Sequence, residues 1–155
     1  MTSTTKWPVI LLGLVLAVFA CSGAMPAFPF PEADIGVGDE PVTVWVADES
    51  AERRQGLMEV DQLPRGIDGM LFVFETEGSV TFTMFNTPMP LDIWWFDPTG
   101  VLVGSLEMKP CPSKPCPSYR SPGPIRWVLE TPQDKFDFAP GVTISGVADA
   151  TIDSN

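Results

Sequence analysis

Histidine is absent from all 155 residues. Ser-His-Asp and Cys-His catalysis and most catalytic zinc sites depend on an imidazole, so those chemistries are excluded. Positive charge is scarce as well: nine Lys and Arg stand against 20 Asp and Glu, a formal net charge of −11. So few cations cannot neutralise many phosphates, and neither nucleic acid nor an anionic lipid surface is an expected partner. No glycine-rich loop precedes a helix, which removes phosphate cradling and dinucleotide binding. Cysteine is limited to Cys21, Cys111 and Cys116. A zinc site at the last two lacks two further ligands. No metal, no cofactor and no catalytic residue set is expected.

What the chain does have is proline (17), glycine (13) and aromatics (10%), a mixture that favours short strands joined by tight turns. The densest apolar segment outside the N-terminus is Thr81 to Phe96, TFTMFNTPMPLDIWWF. Alternation from Val80 to Phe85 predicts a half-buried strand, which Pro88 and Pro90 then interrupt. Leu91 to Phe96 is apolar on both faces except at Asp92, as in a strand within a core. Further strands are expected at Val42–Ala47, Gly69–Phe74, Val101–Met108, Ile125–Glu130 and within 142–152. Asp97-Pro98-Thr99-Gly100 forms a hairpin turn. One short helix is expected from Glu49 to Leu57, capped by Asp48, and a second after Thr131-Pro132, with Thr131 as its cap. The sum is an all-β domain over 41–155: a compact sandwich or barrel with two short helices.

The first 20 residues read as an address. Lys6 precedes an apolar run from Val9 to Ala20 that is too short to span a bilayer and fits a signal peptide. Ala20-Cys21 followed by Ser22-Gly23 resembles a lipoprotein lipobox, which implies cleavage before Cys21 and lipidation of its thiol. The expected location is the cell envelope, with the protein anchored to the membrane through its N-terminal lipid. Residues 21–40 are rich in Pro, Gly and Ala and read as a flexible tether.

A series of motifs then carries a family resemblance. Glu52-Arg53-Arg54-Gln55-Gly56-Leu57-Met58 and Gly69-Met70-Leu71-Phe72-Val73-Phe74 come first, followed by Met84-Phe85-Asn86-Thr87 and Pro90-Leu91-Asp92. Pro110-Cys111, Cys116-Pro117-Ser118-Tyr119 and Val128-Leu129-Glu130 complete it. In this order and spacing they resemble the uncharacterised family called domain of unknown function 192, over about Val42 to Val147. The resemblance implies a compact jelly-roll-like sandwich, commonly exported, and no known reaction. Members often carry Trp-Met-Lys-Asn-Thr where this chain has Thr83-Met84-Phe85-Asn86-Thr87.

The residues able to act chemically are few. In an exported chain Cys111 and Cys116 read as a disulfide, closing a ring that stabilises by roughly 2 kcal/mol. Asp92 and Glu130 interrupt apolar strands. They are expected either to pair with Arg53 and Arg126 or to line a pocket. The favoured function is a binding or interaction module, with Arg53, Asn86, Asp92 and Tyr119 as ligand-binding candidates and Trp45, Trp94 and Trp127 as exposed aromatics. The alternative is a hydrolase using a carboxylate pair, Asp92 with Glu130 or Glu107. Met58, Met70, Met84, Met89 and Met108 follow the strand pattern, so they read as core filler rather than as soft-metal ligands.

Overall fold

The computed structural model describes residues 30–148. Nine strands form in chain order: β1 Glu32–Val37, β2 Glu40–Ala47, β3 Gly69–Gly78, β4 Thr81–Phe82, β5 Leu91–Phe96, β6 Leu102–Met108, β7 Tyr119–Arg120, β8 Ile125–Pro132 and β9 Ile144–Ser145. Among the described residues one helix, α1 Ser50–Gln55, follows β2. Seven strands make one mixed sheet in the order β6-β5-β8-β3-β2-β1-β9, and β4 pairs with β7 in a separate ribbon. The all-β expectation therefore holds.

The sheet is apolar on both faces, and its two faces pack differently. Val37, Val44, Leu71, Trp94, Phe96, Leu102, Leu129 and Ile144, drawn from the first strand of the sheet to the last, share one cluster. Side chains from opposite edges can meet only if this face is concave. The curl is fastened where the edges approach: Val101 bridges Thr143, Leu102 N–H donates to Val142 O at 2.8 Å, and Ile144 N–H to Gly100 O at 2.8 Å. On the convex face Met70, Phe72, Ile93, Trp95 and Val128 need an external cover. Leu57, Val60, Met84, Met89 and Cys111 supply it from the connecting segments.

Three expectations are corrected here. The tether expected over 21–40 ends early, because residues 32–37 form β1 and pair antiparallel with β2. The Ala33, Ile35, Val37 alternation is short and flanked by Pro31 and Gly38, so its strand character emerges only once β2 lies beside it. Residues 21–29 of the expected tether lie outside the described residues. The helix expected after Thr131-Pro132 is replaced by strand and turn. Thr131 and Pro132 stay in β8 opposite Asp92 and Leu91, and Lys135 N–H closes a turn onto Pro132 O. A central strand pairing outweighs a local capping signal, and the Thr131 hydroxyl is occupied by the Trp94 indole N–H at 3.1 Å. Trp94 is also not exposed: it is buried on the concave face, edge-on to Phe138 with ring centroids 4.8 Å apart.

Candidate functional site

The site-bearing part of the molecule is the convex cover. Helix α1 begins where Glu52 folds back to accept the backbone N–H groups of Asp48 (3.2 Å) and Glu49 (3.0 Å), a reciprocal cap centred on Glu49 rather than Asp48. Gly56, at φ 47, ends the helix, and a Cβ there would stand 3.4 Å from the Phe72 ring. The chain thus turns over Phe72 without displacing it. Across from it, Phe82 of β4 meets Phe72 edge-to-face at 5.1 Å.

Between α1 and the β4 segment lies a cleft of about 450 Å³. Its walls are Leu57, Met58, Phe72, Phe74, Val80, Phe82, Met84 and Phe85, and Arg53 and Arg54 also line it. The one carboxyl group among its lining residues is Glu130, from the middle of β8. Glu130 is 5% exposed, opposite Met70 on one side and Ile93 on the other. Among the described residues no hydrogen bond or ion pair reaches its carboxyl. Burial alone pushes its pKa up to about 8, so it is largely neutral at neutral pH.

Among the described residues Arg53 pairs with no acid, which corrects that expectation. Its Nη1 donates to the carbonyls of Asp48 and Val73, the latter at 2.8 Å, and its guanidinium lies 5.4 Å from the Phe74 ring centroid. Arg126 lies 5.9 Å over Trp127 and likewise takes no carboxylate from the described residues. Among the described residues Lys135 and Asp68, at 2.6 Å, form the ion pair. Burial raises the Asp68 pKa, but the Lys135 hydrogen bond and charge and the Thr43 N–H outweigh it and leave the group below its ordinary value.

The other expected site residues fall elsewhere. Asp92 and Glu130 are not brought together: Asp92 sits opposite Thr131, Glu130 opposite Ile93, so the two carboxylates project from opposite faces of the sheet. Asp92 instead stands across from Glu107 in a shallow acidic depression with Asp134 and Asp137. Burial raises the Asp92 pKa, the Asp134 N–H at 2.9 Å opposes this, and the neighbouring charges of Asp134 and Glu107 add to it. No group of three or more acidic or cysteine residues there or elsewhere among the described residues has metal-holding geometry. Asn86, at φ 59, donates its side-chain amide to Glu59 at 3.4 Å and its backbone carbonyl accepts the Glu59 N–H at 2.8 Å, lining a separate proline-walled hollow. Tyr119 of β7 pairs with Phe82, and its hydroxyl accepts the Lys109 N–H at 3.3 Å. Of the four ligand-binding candidates, Arg53 alone lines the apolar cleft. Cys111 and Cys116 are joined in a disulfide with Cα atoms 5.8 Å apart. Cys21 lies outside the described residues. The aromatic walls Phe72 and Phe82 escaped the sequence reading because apolar residues in strands signal core before they signal a cavity.

The fold and cleft define a small curled-sheet protein with a ligand-sized apolar cavity on its convex face. The DUF192 family model, described as uncharacterized, matches residues 33–145, and the chain belongs to that family. It is similar in structure to a candidate transcription regulator from Sinorhizobium meliloti 1021. That match has a TM-score of 0.67 and 25% identity over 76% of this chain and 95% of that one. It also shares its fold with a protein of unknown function from Novosphingobium aromaticivorans, at TM-score 0.68 and 23% identity over 82% and 94% of the two chains. No curated protein matches. Several of the motifs that carry the family resemblance, Arg53 to Met58, Phe72 and Phe74, Met84, Phe85 and Thr87, and Glu130, converge on the cleft.

Proposed function

We propose that this protein is an envelope-located binding module whose small, largely apolar ligand occupies the cleft between α1 and β4. The observation that carries the reading is a cavity of about 450 Å³ with aromatic and methionine walls and one carboxyl that finds no partner among the described residues. Buried polar groups in folded proteins normally find a partner, so a group without one that lines a cleft fits a binding role. A hydrolase is not favoured, because Asp92 and Glu130 lie on opposite faces of the sheet. Asp92 and Glu107 do stand across from each other, but in a shallow acidic depression away from the apolar cleft. With a net charge of −11, nucleic acid is no part of the proposal, whatever the Sinorhizobium protein does.

Octanoate, octanol and octylamine, three short apolar probes of different charge, test the reading by titration calorimetry on the intact chain. At least one should give saturable heat. Thr83, exposed at the cleft, allows a blocking variant, and Thr83→Trp should abolish that heat. No saturable binding, or binding that ignores Thr83→Trp, overturns the reading.

The proposal extends to address. The apolar run before Cys21 supports export, and lipidation of that thiol would hold the domain at the membrane; no helix among the described residues is long and apolar enough to cross one. One acyl chain binds only marginally, so stable anchoring needs the several chains of a lipoprotein. The mature protein should partition into detergent phase, and Cys21→Ala should release it or leave an unprocessed precursor. Full-length chain in the cytoplasm with Met1 to Ala20 intact would defeat this part.

A further inference from the structure

We infer that the cleft selects an anionic amphiphile that carries an uncharged oxygen acceptor, a carbonyl or ester, at its apolar end. The inference rests on the binding reading above and adds the chemistry of the ligand.

Two polar features lie apart in the cleft and differ in kind. Glu130, opposite Met70 in the β3–β8 ladder, offers a carboxyl held away from water. In its neutral form that group is an O–H donor with no acceptor from the described residues. An incoming oxygen acceptor would satisfy it, and leaving such a group unmet in an apolar setting is costly. Arg53 is anchored at the Val73 carbonyl, three residues further along β3 from Met70, a separation of about 10 Å at the rise of a strand. Among the described residues only its Nη1 is engaged, by the Asp48 and Val73 carbonyls, so the remaining guanidinium donors meet no acceptor from those residues and suit a carboxylate or phosphate. Phe72, Phe82 and Met84 are among the apolar side chains of the same cleft.

The two arginines also decide the sign of the ligand. A ligand ammonium could instead ionise Glu130 and pair with it, but it would enter a cleft lined by Arg53 and Arg54 and be repelled there. An anion with a neutral acceptor meets no such opposition and leaves Glu130 protonated.

Monomethyl suberate, with a carboxylate at one end and an ester at the other, is the probe. It is compared by calorimetry on the intact chain with octanoate, which has the anion alone, and with 8-aminooctanoate, which has an ammonium in place of the ester. The monoester should bind roughly tenfold more tightly than octanoate, the scale of one buried hydrogen bond. That preference should disappear in Glu130→Met, and it should weaken as pH rises and the carboxyl ionises. Methyl 8-phosphonooctanoate against monomethyl suberate separates phosphonate from carboxylate at the Arg53 end, and methyl octanoate, which keeps the ester and lacks the anion, should bind more weakly than both. Equal affinity for monoester and octanoate, tighter binding of 8-aminooctanoate, or an unchanged preference in Glu130→Met overturns the inference. If octanoate binds and is blocked by Thr83→Trp while the monoester gains nothing, cleft binding stands and only the ligand class falls.

Discussion

Glu130 sits at the middle of a strand whose neighbours on the same face are Met70, Ile93 and Val128, and no charge offsets its burial. Its pKa of about 8 in the folded protein lies above the ordinary 4.5, so across that interval the folded chain holds a proton that the unfolded chain has released. Stability from this group is therefore greatest at acid pH and falls as pH rises through the window, levelling once the folded carboxyl itself ionises. Asp92, raised in the same direction by burial, adds to the fall, whereas Asp68, lowered by Lys135, works the opposite way at lower pH. Glu130→Gln keeps the shape and removes the titration. The variant should flatten the decline in stability between about pH 5 and pH 8 and be the more stable protein at about pH 9. Denaturant unfolding at several pH values checks this, and an equally steep decline in Glu130→Gln would mean that the carboxyl is solvated after all.

At the scale of elements, the sheet depends on one close approach. A Cβ at Gly69, the first residue of β3, would stand 2.3 Å from the backbone oxygen of Glu130 and 3.1 Å from the Thr131 side chain. Backbone cannot swing aside as a flexible side chain can, so Gly69→Ala should cost about 1–3 kcal/mol and disturb the pairing of β3 with β8. Gly78, at the other end of the same strand, has nothing within 4 Å of such an atom, so Gly78→Ala is the control and should change stability little. Similar losses in both would show that the ladder shifts freely at its start. A smaller element-level effect belongs to the Cys111–Cys116 ring, whose first member also bridges Phe85. Cys116→Ser should lower stability by about 2 kcal/mol under oxidising conditions, and reductant should then have no further effect.

The strands that were legible in the sequence are those whose burial follows a local rule. Leu91 to Phe96 is apolar on both faces except at Asp92 and is buried throughout as β5, and Val42, Val44 and Val46 alternate into the concave cluster. What was not legible depends on partners distant in sequence. β1 is a strand because β2 lies beside it, and the expected helix after Thr131 gives way because Asp92, 42 residues earlier, accepts the Asp134 N–H that helix capping would have used. The strand expected through Phe85 shortens to Thr81–Phe82, since it pairs with the two-residue β7, and Phe85 makes only an isolated bridge to Cys111 among the described residues. The site was half legible for the same reason. Arg53 and Glu130 were both singled out, but which face Glu130 takes is a matter of register, and that face separates it from Asp92.

At the scale of the whole molecule, the concave cluster exists only while the two edges of the sheet stay fastened. β9 has two residues, and the contacts that close the curl fall on its start and just before it: Thr143 to Val101, Val142 to Leu102, and Ile144 to Gly100. Ile144 also places its side chain among Val37, Leu102 and Phe96 in the concave cluster, where it is 7% exposed. Ile144 thus supplies both a hydrogen bond across the closure and apolar filling beneath it. Ile144→Ala keeps the backbone bond and removes the filling, so the expected loss is about 2–4 kcal/mol, the range for a truncated core residue. Val147→Ala, a few residues further and only partly buried, removes less volume at a less enclosed position and should cost under about 1 kcal/mol. If the curl is one cooperative unit, the loss at Ile144 should appear as a shift of the whole unfolding transition, followed equally by far-ultraviolet dichroism and by tryptophan fluorescence, to which the buried Trp94 and Trp95 contribute. A transition that splits, with the fluorescence changing before the strands melt, would show instead that the closure is a separate latch and that β3, β5 and β8 hold together without it.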